Sequence, residues 1–371
     1  MADPLAGAPG TDPLTAYGWT AELALAHEPN AALGREPARV VAEDRGSYDL
    51  VAASGEVRAS VSGRFRHEAN GDPSAFPAVG DWVAVDTKAT GETVIHALLP
   101  RRTALIRQAP GKRIEAQVVG ANLDTVFVVA SLNADLNLRR LERYVAAAWE
   151  SGAEPIVLLS KADLGGNVDA ILLAVEGVAA GATVVVVSSF DGRGVDEVRE
   201  RIGSGRTVAF VGSSGVGKST LVNTLAGEDR ALVREIREDD DRGRHTTTRR
   251  QLQLLPGGGL ILDTPGMREL ALWDADGLDQ TFTDLDDIVE RCKFSNCSHN
   301  GEPGCAIAAA LEDGSLSPER LESWQKLIRE TASHGKRVNA LARAEERRKW
   351  KAIGKSVSKH MDAKYGSEGW R

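Results

Sequence analysis

The chain has 371 residues, 42% of them hydrophobic and 26% charged; these values fit soluble globular protein, argue against a fibrous or wholly disordered chain, and at ~100–200 residues per domain predict two or three domains. The net charge of -8 argues against a general polyanion binder, yet residues 291–371 carry 16 basic against 10 acidic side chains while residues 1–100 carry 7 against 14, so contact with nucleic acid is expected first from the carboxyl-terminal part. No run of ~18 apolar residues occurs, and the amino terminus has neither a basic start nor a continuous apolar stretch, so a cytoplasmic chain without membrane span or secretory signal is expected.

In chain order, residues 1–35 are rich in Ala, Pro and Gly, show little periodicity and read as a disordered lead. Residues 36–110 alternate in short runs, RVVAED, SYDLVAA, VRASVSGRF and DWVAVDT, separated by Gly, Asp, Asn and Pro clusters, the pattern of a small all-β barrel. Over residues 111–283 continuous apolar strands alternate with helical stretches, which predicts an α/β domain on a parallel sheet covered on both faces. Strands are expected from Thr125 to Ala130, Pro155 to Ser160, Thr183 to Ser188, Thr207 to Val211 and Leu260 to Asp263; helices are expected from Leu138 to Ser151, Val168 to Ala179, Val195 to Ile202 and Lys218 to Ala226. Residues 284–371 read as a helical domain: a cysteine-bearing loop, then a long Arg/Lys/Ala/Glu helix from Ser317 to Lys364.

Within the α/β part, IVLLSKAD ends a strand in Ser160, Lys161, Ala162 and Asp163. This is close to N-K-x-D, in which the carboxylate accepts from the guanine ring N–H and exocyclic amine while the Lys stem covers the base; adenine lacks that donor pair. Ser160 stands where Asn is usual, which bears on nucleotide affinity, and a surface S-K-x-D at a helix start is the alternative. Farther on, Ser188, Ser189 and Gly192 of SSFDGRG sit at another strand end and suit a loop that backs the base.

The sharpest motif follows. A strand runs into Gly212, Ser213, Ser214, Gly215, Val216, Gly217, Lys218 and Ser219, matching G-x-x-x-x-G-K-[ST], and Thr220 continues into a helix. The glycines turn backbone N–H groups around phosphate oxygens, the helix amino terminus adds positive potential, Lys218 supplies a point charge, and Ser219 offers its hydroxyl to Mg²⁺. In LILDTPG, Asp263 ends a strand within reach of the magnesium shell and Gly266 can turn its N–H toward a γ-phosphate. Between them lies REDDDRGRHTTTRRQLQLL, a charged segment that reads as a switch; of Thr246, Thr247 and Thr248, Thr247 is chosen as the magnesium ligand. Met267 occupies the place where a water-orienting Gln often follows D-x-x-G, so His245 becomes the catalytic candidate, with a solvated surface His as the alternative. Slow hydrolysis, accelerated when a partner orders this segment, is the expectation. Base-reading elements precede phosphate elements, the reverse of the usual GTPase order, so the domain is circularly permuted around one sheet edge.

Cys292, Cys297, His299 and Cys305 fall within 14 residues in a loop containing Gly301, Pro303 and Gly304. Three thiolates and an imidazole suit one structural Zn²⁺, against the alternative of free thiols in a helical hairpin. Beyond it, Lys336, Arg337, Arg343, Arg347, Arg348, Lys349, Lys351, Lys355 and Lys359 would give a helix salt-dependent, sequence-independent phosphate contacts, unless they form a solvated face.

Taken in order, PRRTALIR, GANLDTVFVV, LSKADL, GSSGVGKSTLVN, GRHTTTRR, LILDTPG and C-x₄-C-x-H-x₅-C resemble the ribosome-small-subunit-dependent GTPase A family, circularly permuted GTPases of bacterial ribosome assembly, over about residues 38–360. The resemblance implies an OB-fold barrel, a permuted GTPase domain and a zinc domain, with GTP hydrolysis stimulated by the small ribosomal subunit and a role in its late maturation and release. It also places the family's switch histidine at His245. GTP and GDP, the small subunit with its rRNA, Zn²⁺ and Mg²⁺ are the implied partners of a monomeric chain. The acidic barrel departs from a direct RNA binder, although Arg64, Arg66 and His67 offer a local patch. A P-loop ATPase or kinase, and a zinc-dependent RNA-binding module with a structural nucleotide site, are the alternatives.

Overall fold

The computed structural model describes residues 13–44, 46–87, 91–108, 116–133, 136–164, 167–179, 181–227, 250–263, 281–299 and 301–332. The lead expected to be disordered contains two helices, α1 (Pro13–Ala16) and α2 (Ala21–Ala31). Thr20 caps α2 by accepting from the Leu23 N–H at 3.3 Å, and Leu14, Tyr17, Leu23 and His27 are buried. These anchors are too scattered to register as a period. They hold because they reach other parts of the chain: Trp19 meets Trp82 at 4.8 Å between ring centroids.

Five strands, β1 (Glu36–Asp44), β2 (Ser47–Ala52), β3 (Gly55–Val61), β4 (Trp82–Thr87) and β5 (Thr93–Leu98), run in the order β1-β2-β3-β5-β4, and β4 returns to β1 to close a barrel. Tyr48, Leu50, Val83, Val85 and Ile95 fill it, each worth roughly 1.5–3 kcal/mol on burial. The end of the VRASVSGRF run is not strand. Ser62 accepts from the Phe65 N–H at 3.1 Å and starts helix α3 (Gly63–Glu68), which places Phe65 against the barrel core.

A separate antiparallel pair follows, β6 (Ala104–Gln108) with β7 (Ala116–Ala121). Then come β8 (Thr125–Ser131), α4 (Leu138–Glu150), β9 (Glu154–Ser160), α5 (Val168–Glu176), β10 (Thr183–Val186), α6 (Val195–Ile202), β11 (Thr207–Val211), α7 (Lys218–Ala226), β12 (Gln251–Leu254) and β13 (Leu260–Asp263). Their order is β10-β9-β8-β11-β13-β12, parallel throughout except for β12. Side chains of α4 and α5 cover one face with Val126, Val128 and Val211, while α6 and α7 cover the other with Phe127, Val129 and Phe210. The doubly covered sheet expected from the apolar runs is therefore present. The last described helices are α8 (Thr283–Val289), α9 (Ala306–Glu312) and α10 over 318–332.

Two of the motifs that carried the resemblance join barrel to sheet. Arg101 donates to Asp81 at 2.9 and 2.7 Å and to the Ser74 and Phe76 carbonyls at 2.7 and 2.8 Å. Asn122 donates to the Gly80 carbonyl at 3.1 Å and accepts from the Arg102 N–H at 3.0 Å. Fully buried Arg39 of β1 lies under Trp82 and donates to the Tyr17 carbonyl at 3.3 Å and to the Thr207 hydroxyl at 3.1 Å; burial lowers its pKa to about 10. The barrel also pairs directly with the sheet, β1 against β12, at Ala42 and Gln251.

Candidate functional site

In the order β10-β9-β8-β11-β13 the parallel strands end at one edge of the sheet, with β8 between β9 and β11, and the motif residues stand at these ends. At the end of β11 the chain enters Gly212 at φ 143°. A Cβ there would collide with the Val129 carbonyl oxygen, so only glycine brings the loop down onto the end of β8. Gly217, at φ 93°, caps the nine-residue α7 and leaves its first N–H groups facing the loop. Ser214 and Gly215 are exposed, Val216 is buried, and Ser219 and Thr220 stand exposed on the first turn of α7. Lys218 Nζ donates to the Gly212 and Ser213 carbonyls at 2.7 and 2.6 Å, which sets its ammonium against the start of the loop.

The Ser160 hydroxyl is buried beneath this loop, 2.6 Å from the Val216 carbonyl and 3.1 Å from the Ala130 carbonyl. Ser160 thus ties the end of β9 to the loop after β11. Lys161 takes φ 62°, a left-handed conformation that costs a non-glycine residue ~1–3 kcal/mol and turns the chain so that Asp163 stands exposed at the edge. Fully buried Ser188 donates to Asp163 Oδ1 at 2.8 Å and accepts from the N–H groups of Phe190 and Asp191 at 3.2 and 3.3 Å. One hydroxyl therefore orients the carboxylate and folds the loop beside it. Ser189 is half-buried in that loop, and Gly192 turns it at φ 82°. The Arg193 N–H, 3.0 Å from Asp191 Oδ1, holds the Asp191 carboxyl below its usual range. Asp263 closes β13, the strand hydrogen-bonded to β11. Gly266, His245 and Thr247 lie outside the described residues, as do the basic positions from Lys336 onward. Arg64 is held by Glu68 at 2.7 Å on exposed α3.

The second cluster is Cys292, Cys297, His299 and Cys305, whose ligand atoms all lie within 4.8 Å of one another. His299 Nδ1 is 3.6 Å from Cys292 Sγ and 3.8 Å from Cys305 Sγ, close to the ~3.5–3.8 Å edges of a tetrahedron with metal bonds of ~2.0–2.3 Å. His299 takes φ 60° to present that nitrogen. The Ala306 N–H points at Cys292 Sγ at 3.4 Å, a bond suited to a thiolate. Glu302 accepts from the Ser298 N–H at 3.0 Å and meets Cys297 Sγ at 3.6 Å. The donor set can hold a metal ion, and the outer bonds hold its ligands in place.

Nothing in the sequence announces Arg320. It leaves α10 to meet Glu142 of α4 at 2.5 Å, Asp284 at 2.8 and 3.1 Å and the Thr281 carbonyl at 2.8 Å, with its guanidinium 4.4 Å from the Phe282 ring. Ser323 bonds the other Glu142 oxygen. Burial works against the Arg320 charge, but Asp284 and Glu142 outweigh it and raise its pKa. This knot ties α8 and α10, on either side of the cysteine loop, to α4 on one face of the sheet. A surplus of charged residues at helical spacing cannot reveal it, because its members are separated by up to 181 positions.

A sequence model of the RsgA GTPase family matches residues 98–273. The small ribosomal subunit biogenesis GTPase RsgA of Streptomyces coelicolor is 45% identical over 362 residues, covering 95% of this chain and 96% of the relative. RsgA 2 of Lactiplantibacillus plantarum is 44% identical over 327 residues, 88% of this chain and 92% of the relative. Among solved structures, YjeQ from Thermotoga maritima superposes with a TM-score of 0.61 at 26% identity, covering 80% of this chain and 99% of that one. YloQ, a circularly permuted GTPase, shares the fold with a TM-score of 0.57 at 22% identity, covering 81% and 96%. Matching motifs in permuted order, a closed five-strand barrel ahead of them and a Cys₃His loop behind them thus coincide with sequence identity along nearly the whole chain, which belongs to the RsgA GTPase family.

Proposed function

We propose that the chain is a GTPase that binds the small ribosomal subunit and hydrolyses GTP during late subunit maturation, with nucleotide state controlling binding and release. The observation that carries this reading is the convergence, on one sheet edge, of a phosphate loop at the end of β11 with Asp163 and its orienting Ser188. Asp163 accepts from the guanine N–H and amine, the Lys161 stem and the loop of Ser188 and Ser189 flank the base, and the N–H groups from Ser213 to Thr220 with Lys218 take the phosphates. Ser219, Thr247 and Asp263 are the residues that would hold Mg²⁺, which supplies charge neutralisation at the phosphates. Gly266 is assigned to the γ-phosphate and His245 to the attacking water. The relatives' names supply the small ribosomal subunit as partner.

Zn²⁺ is assigned to Cys292, Cys297, His299 and Cys305 in a structural role, because four protein ligands complete a tetrahedron. In this reading residues 36–110, 111–283 and 284–371 act as barrel, GTPase and zinc-binding units in the cytoplasm. The test is the GTPase rate with and without purified small subunits across a range of salt. Stimulation that falls with salt is expected. Equal displacement of bound GDP by ATP and GTP, or turnover indifferent to the subunits, rejects the reading.

A further inference from the structure

The amino-terminal turn of α4 carries two arginines and no acidic residue. Cations are disfavoured at a helix amino terminus, where the aligned peptide dipoles already present positive charge. Arg139 is compensated by Glu322 at 2.6 Å. Arg140 turns the other way and donates from Nη1 to the Ser213 hydroxyl at 2.7 Å. Ser213 is the second residue of the phosphate loop, and its carbonyl accepts from Lys218 Nζ. Two cations from different elements thus converge on one loop residue, a guanidinium on its side chain and an ammonium on its main chain.

The fold fixes this convergence. β8 and β11 are parallel neighbours in register from Val208 and Thr125 to Val211 and Val128, so the connection from β8 to α4 and the loop after β11 emerge at the same edge. Asn137 caps α4 by accepting from the Arg140 N–H at 3.0 Å, which holds the first turn and its arginine at that edge. In open α/β sheets ligands lie outside the carboxyl ends of the strands.

We propose that Arg140 is a second phosphate-binding cation of the GTPase reaction, supplied in cis, which swings from the Ser213 hydroxyl to a γ-phosphoryl oxygen. Water oxygen attacks the γ-phosphorus, the bond to the β–γ bridging oxygen breaks with its electron pair left on GDP, and the two water protons pass to inorganic phosphate and solvent. Arg140 donates hydrogen bonds to the oxygens that gain charge and transfers no proton. A guanidinium at this place offsets the missing polar side chain at Met267, because charge stabilisation and water orientation both lower the barrier of phosphoryl transfer.

The inference rests on the GTPase reading, and the experiment separates the two. Full-length wild type, Arg140→Ala and Arg140→Lys are compared for affinity toward a fluorescent GDP, for kcat with saturating small subunits, and for capture of aluminium fluoride on bound GDP. Arg140→Ala is expected to bind GDP within about 2-fold of wild type, to lose kcat by about 30-fold or more, and to fail to retain aluminium fluoride, with Arg140→Lys between the two. An unchanged kcat overturns the inference, as does a loss of GDP affinity equal to the loss of kcat, which would make Arg140 a prop for the loop. Wild type that does not bind GDP overturns the GTPase reading instead.

Discussion

The phosphate loop and the Cys₃His loop each gather distant polar atoms into a small space, but by different means. The phosphate loop is built from below: β8, β9 and β11 fix its ends, Gly212 packs on the Val129 carbonyl, and the Ser160 hydroxyl ties Val216 to the sheet. The Cys₃His loop is bounded by short helices, α8 and α9. Its shape is set by bonds among its own ligands and by Glu302. The first site is held by the strands beneath it, whereas the second is expected to depend on a bound ion for its order.

That contrast is open to attack at four strengths. Cys297→Ser, or exhaustive chelation, removes a ligand from a module whose apparent metal-binding energy is on the order of 10–16 kcal/mol. Hydrogen exchange is expected to rise sharply over 281–332 while GDP binding persists; loss of both together would erase the distinction. Next is Arg320→Met, which strands Glu142, only 2% exposed, and is expected to cost about 3–5 kcal/mol in urea unfolding. A change below 1 kcal/mol, within the scatter of exposed ion pairs, would place the knot outside the folding unit.

Asp163→Asn replaces an acceptor pair with an amide and is expected to lower GDP affinity by about 100-fold, the penalty of leaving paired donors unmatched, while gaining xanthosine diphosphate. Unaltered competition between the two nucleotides would remove Asp163 from base reading. The smallest effect is expected from Ser160→Ala. Losing a hydroxyl tie worth about 1 kcal/mol should weaken GDP binding by roughly 5-fold with little loss of fold stability. An improvement on adding back Asn would show how much of that tie serine already supplies.

Much of this arrangement is legible in the sequence because it is local. The P-loop, S-K-A-D and cysteine spacings each occupy one short stretch, and the strands from Thr125 to Asp263 are continuous apolar runs. The amino-terminal helices are not legible, since their anchors Leu14, Tyr17 and Leu23 find partners only in the folded chain. Strand β5 escapes as well: Thr93, Val94 and Ile95 are all buried, and the short stretch shows no period-2 alternation. Ser160 reads as a lost contact until the Val216 carbonyl is placed above it. Arg320 and Arg140 look like ordinary surface charge on helices, and only their neighbours Glu142 and Ser213 distinguish them.

The pairing of β1 with β12 has a practical corollary for anyone dissecting the molecule. Cutting the chain between barrel and sheet would uncover the outer rim of β12 and strip Arg39 of the Thr207 hydroxyl. Bare strand rims recruit other chains. Fragments made by such truncation would therefore be expected to clump, and silence in an assay of an isolated piece would report on its handling rather than on what that piece contributes to the whole.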